Sequence, residues 1–229
     1  MVDGSPIDRL ALWLMALQEI KLALDEITTP PDVEAFIEEA ERRADVFYEA
    51  GLGLRFPNYV PSDPRVVYAA MSYLKENGHL QGKLFCEWGC GFGIAAGMAA
   101  MLGLNAYGLE IEDDLFARAT KLVTDLKLPV KILQTSYLPE GFDESEGHGG
   151  KDLICPDDRT TAGGLIAPPM YEDLDPSEVD LFFVYPWPGQ EEMMMDLFSS
   201  VASHGSILLI YLGDGEIEAF MLDESDRSH

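Results

Sequence analysis

Residues 83–110 combine types and spacings suited to holding a nucleoside cofactor. Glu87 ends a short apolar run, and Gly89, Gly91 and Gly93 follow at alternate positions. Glycines so placed let the backbone turn sharply and bring its N–H groups against a ligand with no side chain between. The next residues, 94–102, are small and apolar, as a helix lying close on a sheet requires, and Gly103 suits the left-handed position that stops it. A second apolar run, 106–109, ends in Glu110, whose carboxylate can accept both hydroxyls of a ribose. Strand, glycine turn, helix and strand thus carry an acid at the end of each strand.

A dinucleotide fingerprint can be forced on Gly91, Gly93 and Ala96. In that register the turn begins two residues late and leaves Glu87 and Gly89 without a role. A carboxylate in a buried strand is costly unless it is paired, so Glu87 needs a partner. The pattern Glu87-x-Gly89-x-Gly91-x-Gly93 resembles instead the first motif of the class I, seven-strand S-adenosylmethionine-dependent methyltransferases. The resemblance implies that Glu87 lies near the methionine amino group, that the three glycines pass under the cofactor, and that Glu110 holds the ribose. It further implies Ile111 against the adenine, with Ser136 and Tyr137 beside the adenine amine at the end of the third strand. Family members often carry Asp there, so Ser136 is a departure. Tyr59-Val60-Pro61-Ser62 is similar to a segment of some small protein-lysine methyltransferases that closes over the methionine end, which places Ser62 among the cofactor-binding candidates.

In open α/β sheets ligands bind beyond the carboxyl ends of the strands. The run 180–185 ends in Tyr185-Pro186-Trp187-Pro188, so methyl group and acceptor are expected to meet there. Aromatic faces favour a sulfonium cation electrostatically. Tyr185 and Trp187 are the catalytic candidates, with Tyr137 and, more weakly, Tyr171 also lining the site. The Asn-Pro-Pro-Tyr motif of base-amine methyltransferases is absent, since Asn is missing.

The expected architecture is α/β: a Rossmann-like, doubly wound, mostly parallel sheet of order 3-2-1-4-5. Residues 1–55 read as an N-terminal helical appendage, with helices over about 5–27 and 32–50, and residues 56–229 as the cofactor-binding domain. Glu38/Arg42 and Glu39/Arg43 are spaced to pair along the second helix. Ser62 is expected to cap a third helix over 63–77. Only 18 residues follow Tyr211, so the C-terminal hairpin is expected to be truncated. That would leave the fifth strand in need of cover, such as a second copy of the chain would give. The glycine-, proline- and acid-rich stretch 140–176 is expected to be a lid or acceptor-binding loop, with His148 a solvated loop residue.

With 41 acids against 15 bases the net charge is −26, and no basic run exists. Nucleic-acid binding draws on Lys and Arg, so a nucleic-acid acceptor is disfavoured. The acidity suits solubility or a cationic acceptor. No apolar run is long enough for a membrane helix, and no signal peptide is read at the N-terminus. Three cysteines without metal spacing (Cys86, Cys90, Cys155) suggest a reducing compartment, with the cytosol as default and no metal. The leading expectation is an S-adenosylmethionine-dependent methyltransferase acting on a nitrogen of a protein or small molecule. A non-catalytic cofactor-binding module is the alternative, with aminopropyl transfer and NAD-linked reduction behind it.

Overall fold

Five parallel strands form the centre of the molecule. A computed structural model describes residues 17–25, 27–56, 59–139, 144–145, 152–153 and 170–223. In chain order its principal elements are β1 (Leu17–Ile20), α1 (Pro31–Glu49), α2 (Pro64–Glu76), β2 (Leu84–Trp88), α3 (Ile94–Met101), β3 (Asn105–Leu109) and α4 (Asp113–Asp125). Then come β4 (Val130–Leu133), β5 (Leu181–Val184), α5 (Glu191–Val201), β6 (Ile207–Gly213) and β7 (Glu216–Leu222). The sheet runs β1-β7-β6-β5-β2-β3-β4, so its parallel part has the expected 3-2-1-4-5 order.

The far edge differs from expectation. The C-terminal segment is not truncated at β6: a turn with positive φ at Gly213, Asp214 and Gly215 folds β7 back antiparallel along it. The N-terminal segment then supplies the seventh strand, Leu17 pairing with Leu222 and Ile20 with Ala219. The helix expected over 5–27 is therefore interrupted, since 17–20 is strand; residues 1–16 lie outside the described part. The unpaired N–H and C=O groups along β7 reward any extended segment that reaches them, and this outweighs a short stretch's helical periodicity. Cover for β6 comes from the chain itself, which removes the reason for expecting a partner at that strand.

Alternation along the strands divides the core. Leu181 and Phe183 of β5, with Ile207, Leu209 and Tyr211 of β6, face α1, α2 and α3. Phe182 and Val184, with Leu208 and Ile210, face α5. Gly97 of α3 lets α1 approach, because a side chain there would overlap the Phe36 ring. Arg65 of α2 ties the helices together by pairing with both Glu34 and Glu41 of α1. Along α1, Arg43 pairs with Glu39 as expected, whereas Arg42 also takes Glu39 rather than Glu38. No described helix is long and apolar enough to cross a membrane.

The cap of α2 is Asp63, not Ser62. Its carboxylate accepts from the Arg65 and Val66 N–H groups at 2.9 and 3.4 Å. Asp63→Ala is expected to lower stability by about 1 kcal/mol, the usual worth of such a cap, measured as a shift in urea midpoint at constant slope.

Within 140–176, Glu144–Ser145 pairs with Asp152–Leu153, and Tyr171 and Leu174 close a tight turn. His148 and Cys155 lie outside the described residues.

Candidate functional site

The turn after β2 is built by three glycines with left-handed backbone, φ being 66° at Gly89, 54° at Gly91 and 71° at Gly93. Side chains rarely adopt this region. The Gly93 N–H donates to the Cys90 carbonyl at 2.7 Å, and Cys90 N–H donates to the Leu109 carbonyl at 2.7 Å, binding the turn to the end of β3. A Cβ on Gly89 would meet nothing within 4 Å, so the backbone here is bare to whatever lies against it. A Cβ on Gly91 would overlap the ring of Tyr59.

Both acids accept backbone N–H groups in this turn or just after it. Glu87 shares the α3-facing side of β2 with Phe85, because strand side chains alternate. Its Oε2 accepts from the Ala96 N–H at 2.8 Å in the first turn of α3. Burial pushes the Glu87 pKa up to about 8; the Ala96 N–H draws it down and the nearby Glu110 carboxylate adds to the rise. The carboxyl of Glu110 accepts from Gly91 N–H at 2.8 Å through Oε2 and from Glu112 N–H at 2.9 Å through Oε1. Its pKa is also raised, again chiefly by burial and against its backbone hydrogen bonds. The Ile111 N–H also lies against this carboxyl, so three backbone groups hold it and of its four lone-pair sites one is left for a further donor.

A cleft of about 340 Å³ opens beyond the carboxyl ends of β2, β3 and β5. Gly89, Glu110, Ile111, Ser136, Tyr137, Tyr185 and Trp187 line it together, bringing seven of the expected site residues to one place. Ile111 stands 63% exposed on the wall, a large apolar surface suited to a flat ring. Trp187, 40% exposed, stands at the rim, and the Tyr185 ring is held edge-on to Tyr211 with centroids 4.8 Å apart. The Ser136 hydroxyl is engaged locally, accepting from the Leu138 N–H at 3.1 Å. Glu87, Gly91, Gly93 and Ser62 do not line the cleft; the first three shape it from behind.

Two aromatic assignments change. Tyr171 is fully buried on the α5 side of the sheet, in the cluster that contains Trp88 and Phe182, and does not reach the cleft. Tyr59 does reach it, stacking on Phe92 at 5.3 Å and on Tyr48 at 6.1 Å while its ring lies over Gly91. Burial raises its phenol pKa, so it stays neutral. The signal for Tyr59 was the same four-residue phrase that suggested Ser62. Met194 of α5 is buried and also lines the cleft. Cys86 and Cys90 are buried free thiols, and among the described residues no cluster of His, Cys, Asp and Glu is arranged to hold a metal.

No family model matches the chain, and no curated protein matches it. Solved structures similar to it include an RNA methyltransferase from Salinibacter ruber in complex with S-adenosyl-L-homocysteine. The two are 16% identical over 74% of this chain and 98% of that one, with a TM-score of 0.47. A putative caffeoyl-CoA O-methyltransferase from Staphylococcus aureus is 12% identical over 79% of this chain and 73% of its own, at 0.44. The magnesium protoporphyrin IX methyltransferase from Synechocystis PCC 6803 with bound SAH is 14% identical over 75% and 70%, at 0.41. At that distance no substrate and no residue role passes from one protein to another. The chain has a seven-strand, Rossmann-like fold.

Glu110→Ala is expected to weaken binding of S-adenosylhomocysteine by about 1–3 kcal/mol, the scale of losing a charged hydrogen-bonding group. The variant also frees the Gly91 and Glu112 N–H groups. Glu110→Gln, which keeps one oxygen acceptor, is therefore expected to fall between it and the native protein in calorimetric titration.

Proposed function

We propose that this chain is an S-adenosylmethionine-dependent methyltransferase acting on a nitrogen of a protein or small-molecule acceptor. The observation that carries this reading is the set of groups that meet in one cleft: bare backbone at Gly89, an acid at Glu110, exposed Ile111, and the aromatic residues Tyr137, Tyr185 and Trp187. The residues present fit the cofactor, since the open space beside Gly89 is what a closely approaching ligand requires. When bound, S-adenosylmethionine supplies a methyl carbon on a cationic sulfur that leaves as a neutral thioether.

Little acid catalysis is then asked of the protein; alignment and exclusion of water supply the rate. Tyr185, Trp187 and Tyr137 favour positive charge through their ring faces and shield the reacting atoms. An acceptor held at that end would need its nitrogen lone pair free toward the methyl group, and the proton it then loses would pass to solvent. None of the described residues lining the cleft is Lys, Arg or His, whereas two acids, Glu110 and Glu112, line it. Such a lining attracts an amine and repels a phosphate backbone, in keeping with the net charge of −26. The non-catalytic alternative leaned partly on a truncated sheet, and the sheet is complete to its seventh strand.

Calorimetric titration of the full chain with S-adenosylmethionine and S-adenosylhomocysteine tests the reading. Saturable binding of both, followed by transfer of labelled methyl to lysine-rich proteins or amines, is the expected result. Absence of binding by folded protein overturns it, and binding without turnover on any acceptor returns the chain to the cofactor-binding module.

A further inference from the structure

Fifteen basic residues are scattered among 41 acids, yet four of the fifteen converge on one recess. Arg42 and Arg43 enter it from α1, Arg118 and Lys121 from α4, and Val46 and Phe92 form an apolar floor in a volume of about 370 Å³. Two acids offset part of the charge. Glu39 takes Arg42 and Arg43 at 2.7 and 2.8 Å, and Asp125 takes Arg43 and Lys121 at 2.9 and 3.0 Å. Four cations against two carboxylates leave the recess two charges positive.

Arg118 is the residue these pairs leave over. Its guanidinium lies over the Phe47 ring at 4.7 Å and near Phe92 at 6.0 Å, and among the described residues it has no ion pair. Its Nε is buried without a hydrogen-bond partner. A buried donor left unpaired carries a free-energy cost, so packing on the rings, not polar partners, holds this side chain in place. A guanidinium stacked on aromatic rings keeps its N–H edges directed outward, the geometry that suits tetrahedral oxyanions.

We propose that this recess binds a small phosphate-bearing anion, with Arg118 as its principal ligand and Arg42 and Lys121 closing on it from either side. The acidity of the whole chain does not forbid this, because charges beyond about 8 Å are largely screened at physiological ionic strength, whereas four cations and one acid, Asp125, line the recess itself. The recess is a single concavity, not a basic track, which suits a terminal phosphate better than a nucleic-acid backbone. Its volume exceeds that of phosphate, and Val46 and Phe92 offer apolar surface to the rest of the molecule. Phe92 lies inside the glycine turn and stacks on Tyr59, so the recess and the cleft share one aromatic partition but no lining cation.

Inorganic phosphate and pyrophosphate, titrated into the full chain at low salt and followed by amide chemical shifts, provide the test. Saturable shifts at Phe92, Arg118 and Lys121 are expected with both. Arg118→Gln is expected to weaken pyrophosphate by about tenfold or more, the loss of one charge-assisted hydrogen bond. Because Arg118 also packs on Phe47, the double variant Arg42→Gln/Lys121→Gln, with both side chains largely exposed, gives the same reading without touching the core. Weakened pyrophosphate binding in that double variant supports the site. Undiminished binding in both variants, no shifts with either probe, or equal binding of succinate or of a short single-stranded oligonucleotide overturns it.

Discussion

Gly91→Val is expected to give no measurable heat with S-adenosylhomocysteine, even where the variant remains folded. Two independent costs meet at this position. The backbone φ of 54° lies in the left-handed region, which a β-branched residue adopts only as a genuine outlier. The new side chain would also overlap the ring of Tyr59, which is held by stacking on Phe92 and Tyr48. Either Tyr59 leaves the cleft wall or the turn opens and breaks the 2.8 Å hydrogen bond from Gly91 N–H to Glu110. Both outcomes disorganise the part of the cleft assigned to the cofactor. Native-like affinity in a folded Gly91→Val protein, with folding checked by circular dichroism, would remove the glycine turn from the site.

The second large effect concerns pH and needs no ligand. Glu87 titrates at about 8 in the folded protein, against an ordinary value of 4.5. Between those values the folded state holds a proton that the unfolded chain has released. The stability linked to this group is therefore complete below about pH 4.5 and is lost as pH rises through about 8. Glu110 shifts in the same direction and adds to the slope. Glu87→Gln keeps an oxygen acceptor for the Ala96 N–H but removes the charge. The variant is expected to be more stable than the native protein at about pH 8 by an amount on the order of a few kcal/mol, with the difference shrinking toward pH 5. Urea unfolding at a series of pH values measures it. Equal pH slopes in the two proteins would show that Glu87 does not carry the proton.

The glycine turn, the five parallel strands and their order, and the acid at the end of β3 were all legible in the residues. Each is a local signal: apolar runs of strand length, glycines where the backbone must go left-handed, and small residues where α3 nears the sheet. The misread parts were nonlocal. Leu17–Ile20 carries the same apolar residues in a helical or an extended reading, and only the free edge of β7 selects the second. Ser62 was expected to cap a helix starting at Asp63, and the start of α2 at Pro64 gives the role to Asp63. Tyr59 and Tyr171 are both tyrosines in irregular segments. Which side of the sheet each segment crosses sends Tyr59 into the cleft and Tyr171 into the core beneath α5. The basic recess could not be read along the chain at all, because its halves belong to helices separated by two strands and two other helices.

Sequence alone thus determined the presence of a left-handed glycine turn with its flanking acids, since backbone sterics and side-chain alternation act over a few residues and need no distant partner. The tertiary structure alone decided which aromatic faces meet in the cleft, what closes the far edge of the sheet and where four cations gather. Those outcomes depend on which surfaces are left unsatisfied once the sheet has formed, and that is a property of the packed whole, invisible to any short stretch of chain.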